Sequence, residues 1–296
     1  MTWQKFQELD DDARRADLAH LGQHLLAETA VFQQTCDMLS YHNQLTDLIH
    51  LLQAGYGQLL ENKPNELLQQ TITAQLTDSL IFRFLEQNRP DTATAPASLV
   101  DALQAFIPVD AAGLNRYLAH LRGYTQFKWK AEHLAGHPPQ NMAALMLEFM
   151  AHAREKADVP YGRSQLVRHL LPTYFVERRT GQLNPRQDLG DLMRRGRPLP
   201  KQPASDHPLL PDKDTLQRFL AKLLNYNPTR PYAAAALFRL LPGWLTFLEQ
   251  RQLLTSAEHQ AGLADLAALQ PDLLAYFANL AGDDELAAAV SAWPPP

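Results

Sequence analysis

Arg178–Asp212 reads RRTGQLNPRQDLGDLMRRGRPLPKQPASDHPLLPD, and it parts two long stretches of helical pattern. Six prolines stand between Pro185 and Pro211, and Gly181, Gly190 and Gly196 interrupt the rest. Proline fixes φ and has no N–H, so neither a helix nor a central strand runs through such a segment. Arg178, Arg179, Arg186, Arg194, Arg195, Arg197 and Lys201 face only Asp188 and Asp191, a local charge of +5. Taking +5 from the chain's −5 leaves −10 on the remainder. A basic, breaker-rich strip thus joins two acidic blocks.

Both blocks read as helix. The chain has 52 Leu against 11 Val plus Ile. Leucine keeps its rotamer freedom in a helix, whereas β-branched residues suit strands. The expected fold is all-α: a multi-helix bundle over residues 1–178, a basic Pro/Gly-rich linker over 179–212, and a smaller helical array over 213–296.

Periodicity and capping residues give the expected elements. Leu18, Leu21, Leu25 and Phe32 share one face of a helix running from Asp12 to about Thr35. A second helix spans Ser40 to Gln53, loosened at its end by Gly55 and Gly57. A third runs from Pro64-Asn65 to Asn88, ahead of Pro90. Ser98 with Asp101 reads as an N-cap and its reciprocal carboxylate, Asp110 as the cap of a helix reaching toward Leu134, and Asn141 as the next cap. Pro172 divides a last pair in the first block. In the second block, helices start at Asp214-Thr215, at Pro231, at Pro242, at Pro271-Asp272 and at Asp283, where proline in a first turn loses no bond. Thr255 and Glu258 form a capping box. No residue pattern repeats at a fixed period.

Composition narrows the function classes. At 46% hydrophobic and 20% charged residues, the chain is that of a folded globular protein. Cys36 is the single cysteine, which excludes an internal disulfide and a thiolate metal cluster. The segment MTWQKFQELDDDARR lacks the apolar core of a secretory signal, and no run of 18 apolar residues occurs. The expected compartment is the cytoplasm. No phosphate loop, dinucleotide fingerprint or nucleophile elbow is present, so no cofactor is expected.

Candidate sites are few. The seven basic residues of the strip are the candidate contacts for a polyanion or a partner, since guanidinium forks match phosphate oxygens. His20 and His24 stand at the i,i+4 spacing that lets two imidazoles share a metal, with Glu28 continuing the row; surface histidines give the same letters, and no metal is expected. Tyr124–Lys130 alternates aromatics with lysines, as a base-stacking surface or an amphipathic helix would. Glu148 with His152 is a further i,i+4 pair, but the chain contains no Glu-x-x-His motif of a di-iron bundle. Cys36 reads as a small buried hydrophobe. The resulting expectation is a non-enzymatic interaction protein (adaptor, scaffold or component of an assembly) with a protein partner. The alternatives are nucleic-acid or polyanion binding through residues 178–201, and an enzyme whose site is assembled from dispersed polar residues.

Overall fold

A computed structural model describes residues 2–62, 66–88, 94–123, 127–130, 138–183, 207–225, 228–277 and 283–292. They form an all-α fold: α1 (Trp3–Glu8), α2 (Asp11–Gln23), α3 (Thr29–Tyr41), α4 (Leu45–Asn62), α5 (Glu66–Gln87), α6 (Ala97–Gln104), α7 (Ala111–Leu121), α8 (Pro138–Ala157), α9 (Tyr161–Arg179), α10 (Lys213–Asn225), α11 (Pro231–Gln250), α12 (Ser256–Phe277) and α13 (Asp284–Ser291). No strand occurs among the described residues.

Several caps fall where the side-chain chemistry places them. Asp10 accepts from the Ala13 N–H (2.8 Å), and Asp110 accepts from the Ala112 and Gly113 N–H groups (3.0 Å each). The Thr255 N–H donates to Glu258 Oε2 (2.8 Å) while the Glu258 N–H donates to Thr255 Oγ1 (3.3 Å), the reciprocal capping box. Ser98, by contrast, lies inside α6, whose cap position is Pro96. Asn141 is likewise inside α8, and α7 stops at Leu121 because Gly123 takes φ +70°.

The expected helix from Asp12 to Thr35 is two helices, broken at residues 24–28. The break is a packing solution. Leu25 and Phe32 both insert where a Cβ on Gly55 would lie, with atoms at 3.4 and 3.1 Å. Seven residues apart on one straight helix they would be about 10 Å apart along its axis; folding the chain back brings both to one glycine. Gly22 makes the matching close approach, for a Cβ there would sit 2.5 Å from the Ala54 Cβ. Gly55 and Gly57 therefore lie inside α4, not at its end.

Three prolines read as boundaries instead lie within helices: Pro172 in α9, Pro242 in α11 and Pro271 in α12. An internal proline costs about 3 kcal/mol. Burial on both sides outweighs it. Leu170, Leu171, Tyr174 and Phe175 flank Pro172, and Leu240, Leu241, Trp244 and Leu245 flank Pro242, all in the core. A buried Leu or Phe side chain contributes about 1.5–3 kcal/mol. Thr173 Oγ1 donates to the His169 carbonyl (2.8 Å) in the turn that Pro172 disturbs.

The apolar interior forms two clusters whose division does not follow the strip. One gathers α1–α7 with Leu147, Met150 and Tyr161. The other joins α8 and α9, through Met146, Phe149, Leu171 and Tyr174, to Phe219, Trp244, Phe247 and Phe277 beyond the strip. Helices on either side of residues 184–206 thus share one core. Trp244 at its centre is fully buried and donates its Nε1–H to the Leu209 carbonyl (3.2 Å).

Candidate functional site

Both flanks of the basic strip are fastened to the same helices. Arg178, on the last turn of α9, is buried among Tyr174 and Phe175. Its guanidinium donates to the Leu210 carbonyl and to the His207 carbonyl (2.7 Å), with Asp212 at 3.8 Å. Arg218 on α10 donates to the Leu183 carbonyl (2.9 Å), and Asp212 caps α10 through the Thr215 N–H (3.0 Å). Arg178 is therefore spent on closing the strip's ends together, not offered to a polyanion. Arg179 is exposed. Arg186, Arg194, Arg195, Arg197 and Lys201 lie outside the described residues.

The histidine row of α2 does not extend to Glu28. The His20 and His24 rings lie 4.2 Å apart, and His24 Nδ1 is 2.8 Å from the His20 carbonyl. The helix ends at Gln23, however, and Glu28 sits at the cap of α3. No group of three His, Cys, Asp or Glu positioned to hold a metal occurs among the described residues. Cys36 is fully buried; burial first, then Asp37, pushes its thiol well above the usual range, so it is no thiolate nucleophile. Residues 127–130 are not helical. Phe127 donates its N–H to the buried Glu148 (3.1 Å), whose other oxygen pairs with Arg251 (2.7 Å).

Two buried ionic ties hold helices together. The Arg230 fork donates to both oxygens of Asp37, Nε to Oδ2 (2.8 Å) and Nη2 to Oδ1 (2.9 Å), and Gln33 adds a third bond (2.9 Å). Arg168 Nη1 donates to Asp78 (2.9 Å) and to the Tyr117 hydroxyl (2.5 Å), while that hydroxyl donates to Asp78 (2.9 Å). Burial, ahead of the Asp78 charge, keeps Tyr117 protonated.

Several polar groups converge at the seam of the two cores, around the end of α3. Asn43 there takes φ 57° and accepts the Gly162 N–H (3.2 Å). This contact needs a glycine, since a Cβ at 162 would meet the Ser40 carbonyl at 2.7 Å. It sets the first turn of α9 against Tyr41 and His42. The His42 ring stacks on Trp3 (3.7 Å between centroids, 1° between planes). His42 Nε2 lies 2.9 Å from Asp283 and Nδ1 3.4 Å from Glu285, both from the start of α13. Tyr232, on the first turn of α11, packs against both cores and feels the charge of Asp283. Burial, then Asp283, holds the Tyr232 hydroxyl well above its usual pKa. Burial works to raise the Asp283 pKa, but bonds from His42 and the Leu286 N–H together hold it below the usual carboxylate range.

Arg163 and Arg239 meet Tyr41 from two sides. The Arg163 guanidinium lies over the ring (4.5 Å to the centroid) and its Nε donates to the Tyr41 carbonyl (3.1 Å). Arg239 Nη1 donates to the Tyr41 hydroxyl (3.2 Å). None of these residues was legible as a site. Positions 3, 42, 163, 232, 239 and 283 are scattered through the chain, and of them only His42 and Asp283 carry a local signal, the latter merely as a helix start.

A different feature marks the far end of α2–α5. The Arg14–Asp47 pair (3.9 Å) and the Gly22–Gly55 contact have the same offset, so α2 and α4 run parallel and finish on the same side. Leu26 (43% exposed), Val31 (39%), Leu60 (54%) and Leu67 (68%) thereby gather at one end, where α2 and α4 finish and α3 and α5 begin.

The class defined by this fold is an all-α protein with two fused helical cores, in which no described helix is long and apolar enough to cross a membrane. Compared with family models, curated proteins and solved structures, the chain matches none.

Proposed function

We propose that this chain is a non-catalytic protein-interaction module (an adaptor, scaffold or structural component of a larger assembly) that receives its partner on the apolar end of α2–α5. The observation that carries the reading is the gathering of Leu26, Val31, Leu60 and Leu67 there. Single exposed leucines are ordinary, but several large apolar side chains on one end mark a surface that another protein covers. Glu28, Glu61 and Glu66 rim it, all exposed. An apolar centre with an acidic rim suits an amphipathic helix with basic flanks, docking by the helix-in-groove mode.

The test compares wild type, Leu60→Glu/Leu67→Glu, and Arg194→Gln/Arg195→Gln/Arg197→Gln by in-cell cross-linking and quantitative co-purification, with circular dichroism to confirm folding. A protein partner held by wild type and the Gln variant, and lost by the Glu variant, supports the reading. Its complex should depend weakly on salt and show a negative heat-capacity change. Loss with the Gln variant alone, together with binding to duplex DNA that falls steeply with salt, would instead establish the polyanion reading.

A further inference from the structure

We propose that His42 is a catch coupling the first and last helices among the described residues: α13 is a strap that leaves the fold locally, and its release loosens α1. The strap is weakly rooted. α13 has eight residues, fewer than the ~12 an isolated helix needs to be even marginal in water, so its helicity depends on docking. It lies on α11 and α12, where Leu286 is buried in the core of Trp244. Asp284, Glu285, Ala288 and Ser291 are exposed. The polar hold is at the helix start. Asp283 caps α13 by accepting the Leu286 N–H (2.8 Å), and its other oxygen lies 2.9 Å from His42 Nε2. Glu285 Oε2 lies 3.4 Å from His42 Nδ1. Both nitrogens of one ring are therefore turned to carboxylates of α13.

The same ring carries α1. Trp3 lies flat on it, 3.7 Å between centroids and 1° between planes. α1 has six residues and buries only Trp3 and Phe6; Phe6 stacks on Trp3 (5.6 Å) under the Arg14 guanidinium (5.3 Å). Contacts at both nitrogens fix the plane of the imidazole, and Trp3 needs that plane to stack. Tyr41 and Tyr232 meet the ring at 77° and 71°, along its edges. Once the two carboxylates leave, the broad torsion about the Cβ–Cγ bond lets the ring turn an edge toward Trp3. Trp3 and Leu286 belong to different cores, so His42 is the link between their helices. Coupling of this kind is reciprocal: whatever factor the release of α13 adds to the opening of α1, the loss of Trp3 adds to the opening of α13.

The experiment is hydrogen–deuterium exchange of the full chain at one fixed pH, read by mass spectrometry on peptides covering α1, α13 and, as reference, α11. In wild type, α13 should exchange by local opening, well ahead of α11. Leu286→Ala should speed α13 at least about tenfold and speed α1 with it, and Trp3→Ala should speed α1 and α13 in turn, with α11 slow throughout. In His42→Ala both helices should already be fast, and adding Leu286→Ala should leave α1 unchanged. Should His42→Ala fail to fold, Glu285→Gln, at a side chain 60% exposed, replaces it and should speed both helices together. Exchange of α13 only at the pace of α11, an unchanged α1 in Leu286→Ala, or an effect of Leu286→Ala on α1 that persists without His42 would each overturn the assignment.

Discussion

Arg230→Met and Asp37→Leu should differ sharply in cost, and the difference follows from burial alone. The Asp37 side chain is 1% exposed and takes three bonds, two from Arg230 and one from Gln33, whereas the Arg230 side chain is 28% exposed. Removing Arg230 strands a carboxylate away from water, which costs about 3–5 kcal/mol. Removing Asp37 leaves a guanidinium that can turn toward solvent, so its cost should stay near the 1–3 kcal/mol of a lost buried hydrogen-bond partner, about half as much. The double variant Asp37→Leu/Arg230→Met, with no charge left to desolvate, should be more stable than Arg230→Met alone. Thermal unfolding shifts by roughly 2–4 °C per kcal/mol in chains of this order of size. Arg230→Met should therefore melt roughly 6–20 °C below wild type, and Asp37→Leu by about half of that. Calorimetric melts of the four proteins of the cycle supply the coupling. The reasoning fails if Asp37→Leu is the more damaging of the two, or if the double variant melts below Arg230→Met.

The shared core predicts that trypsin cleavage after Arg186, Arg194, Arg195 or Lys201 leaves two pieces that separate in denaturing gels yet co-elute in native size exclusion; separation under native conditions would contradict the packing of Phe149 and Tyr174 with Trp244 and Phe219. Gly22→Ala should destabilise by about 1–3 kcal/mol, because its Cβ meets the Ala54 Cβ at 2.5 Å, while Gly57→Ala, with open space around it, should stabilise α4 by about 0.4–1 kcal/mol; urea midpoints decide both. Burial depresses the pKa of His152 and His207, so each contributes stability fully at pH above the unfolded value of about 6.5 and loses it as pH falls through the lower folded value. The melting temperature should accordingly fall on acidification below about pH 6.5, and less steeply in His207→Gln, whose wild-type ring accepts the Leu209 N–H (3.2 Å) and lies 2.8 Å from the Leu253 carbonyl.

The all-α class was legible in the letters, because leucine excess and capping chemistry act within a few residues of their own position. Asp110 and the Thr255–Glu258 box cap helices through bonds that span two or three residues, and such signals survive in a bare sequence. The prolines misled for the complementary reason. Pro172, Pro242 and Pro271 carry a local penalty that every sequence reader sees, while the burial that offsets it comes from partners far along the chain. The split of α2 from α3 likewise depends on Gly55, a residue of another helix. The strip's composition marked a boundary between blocks, yet Arg178 and the shared core around Trp244 tie its two sides together. The seam of Trp3, Tyr41, His42, Arg163, Tyr232, Arg239 and Asp283 is wholly a product of tertiary structure. Its members belong to five helices or their caps, and nothing in the spacing of residues hundreds of positions apart encodes that they meet.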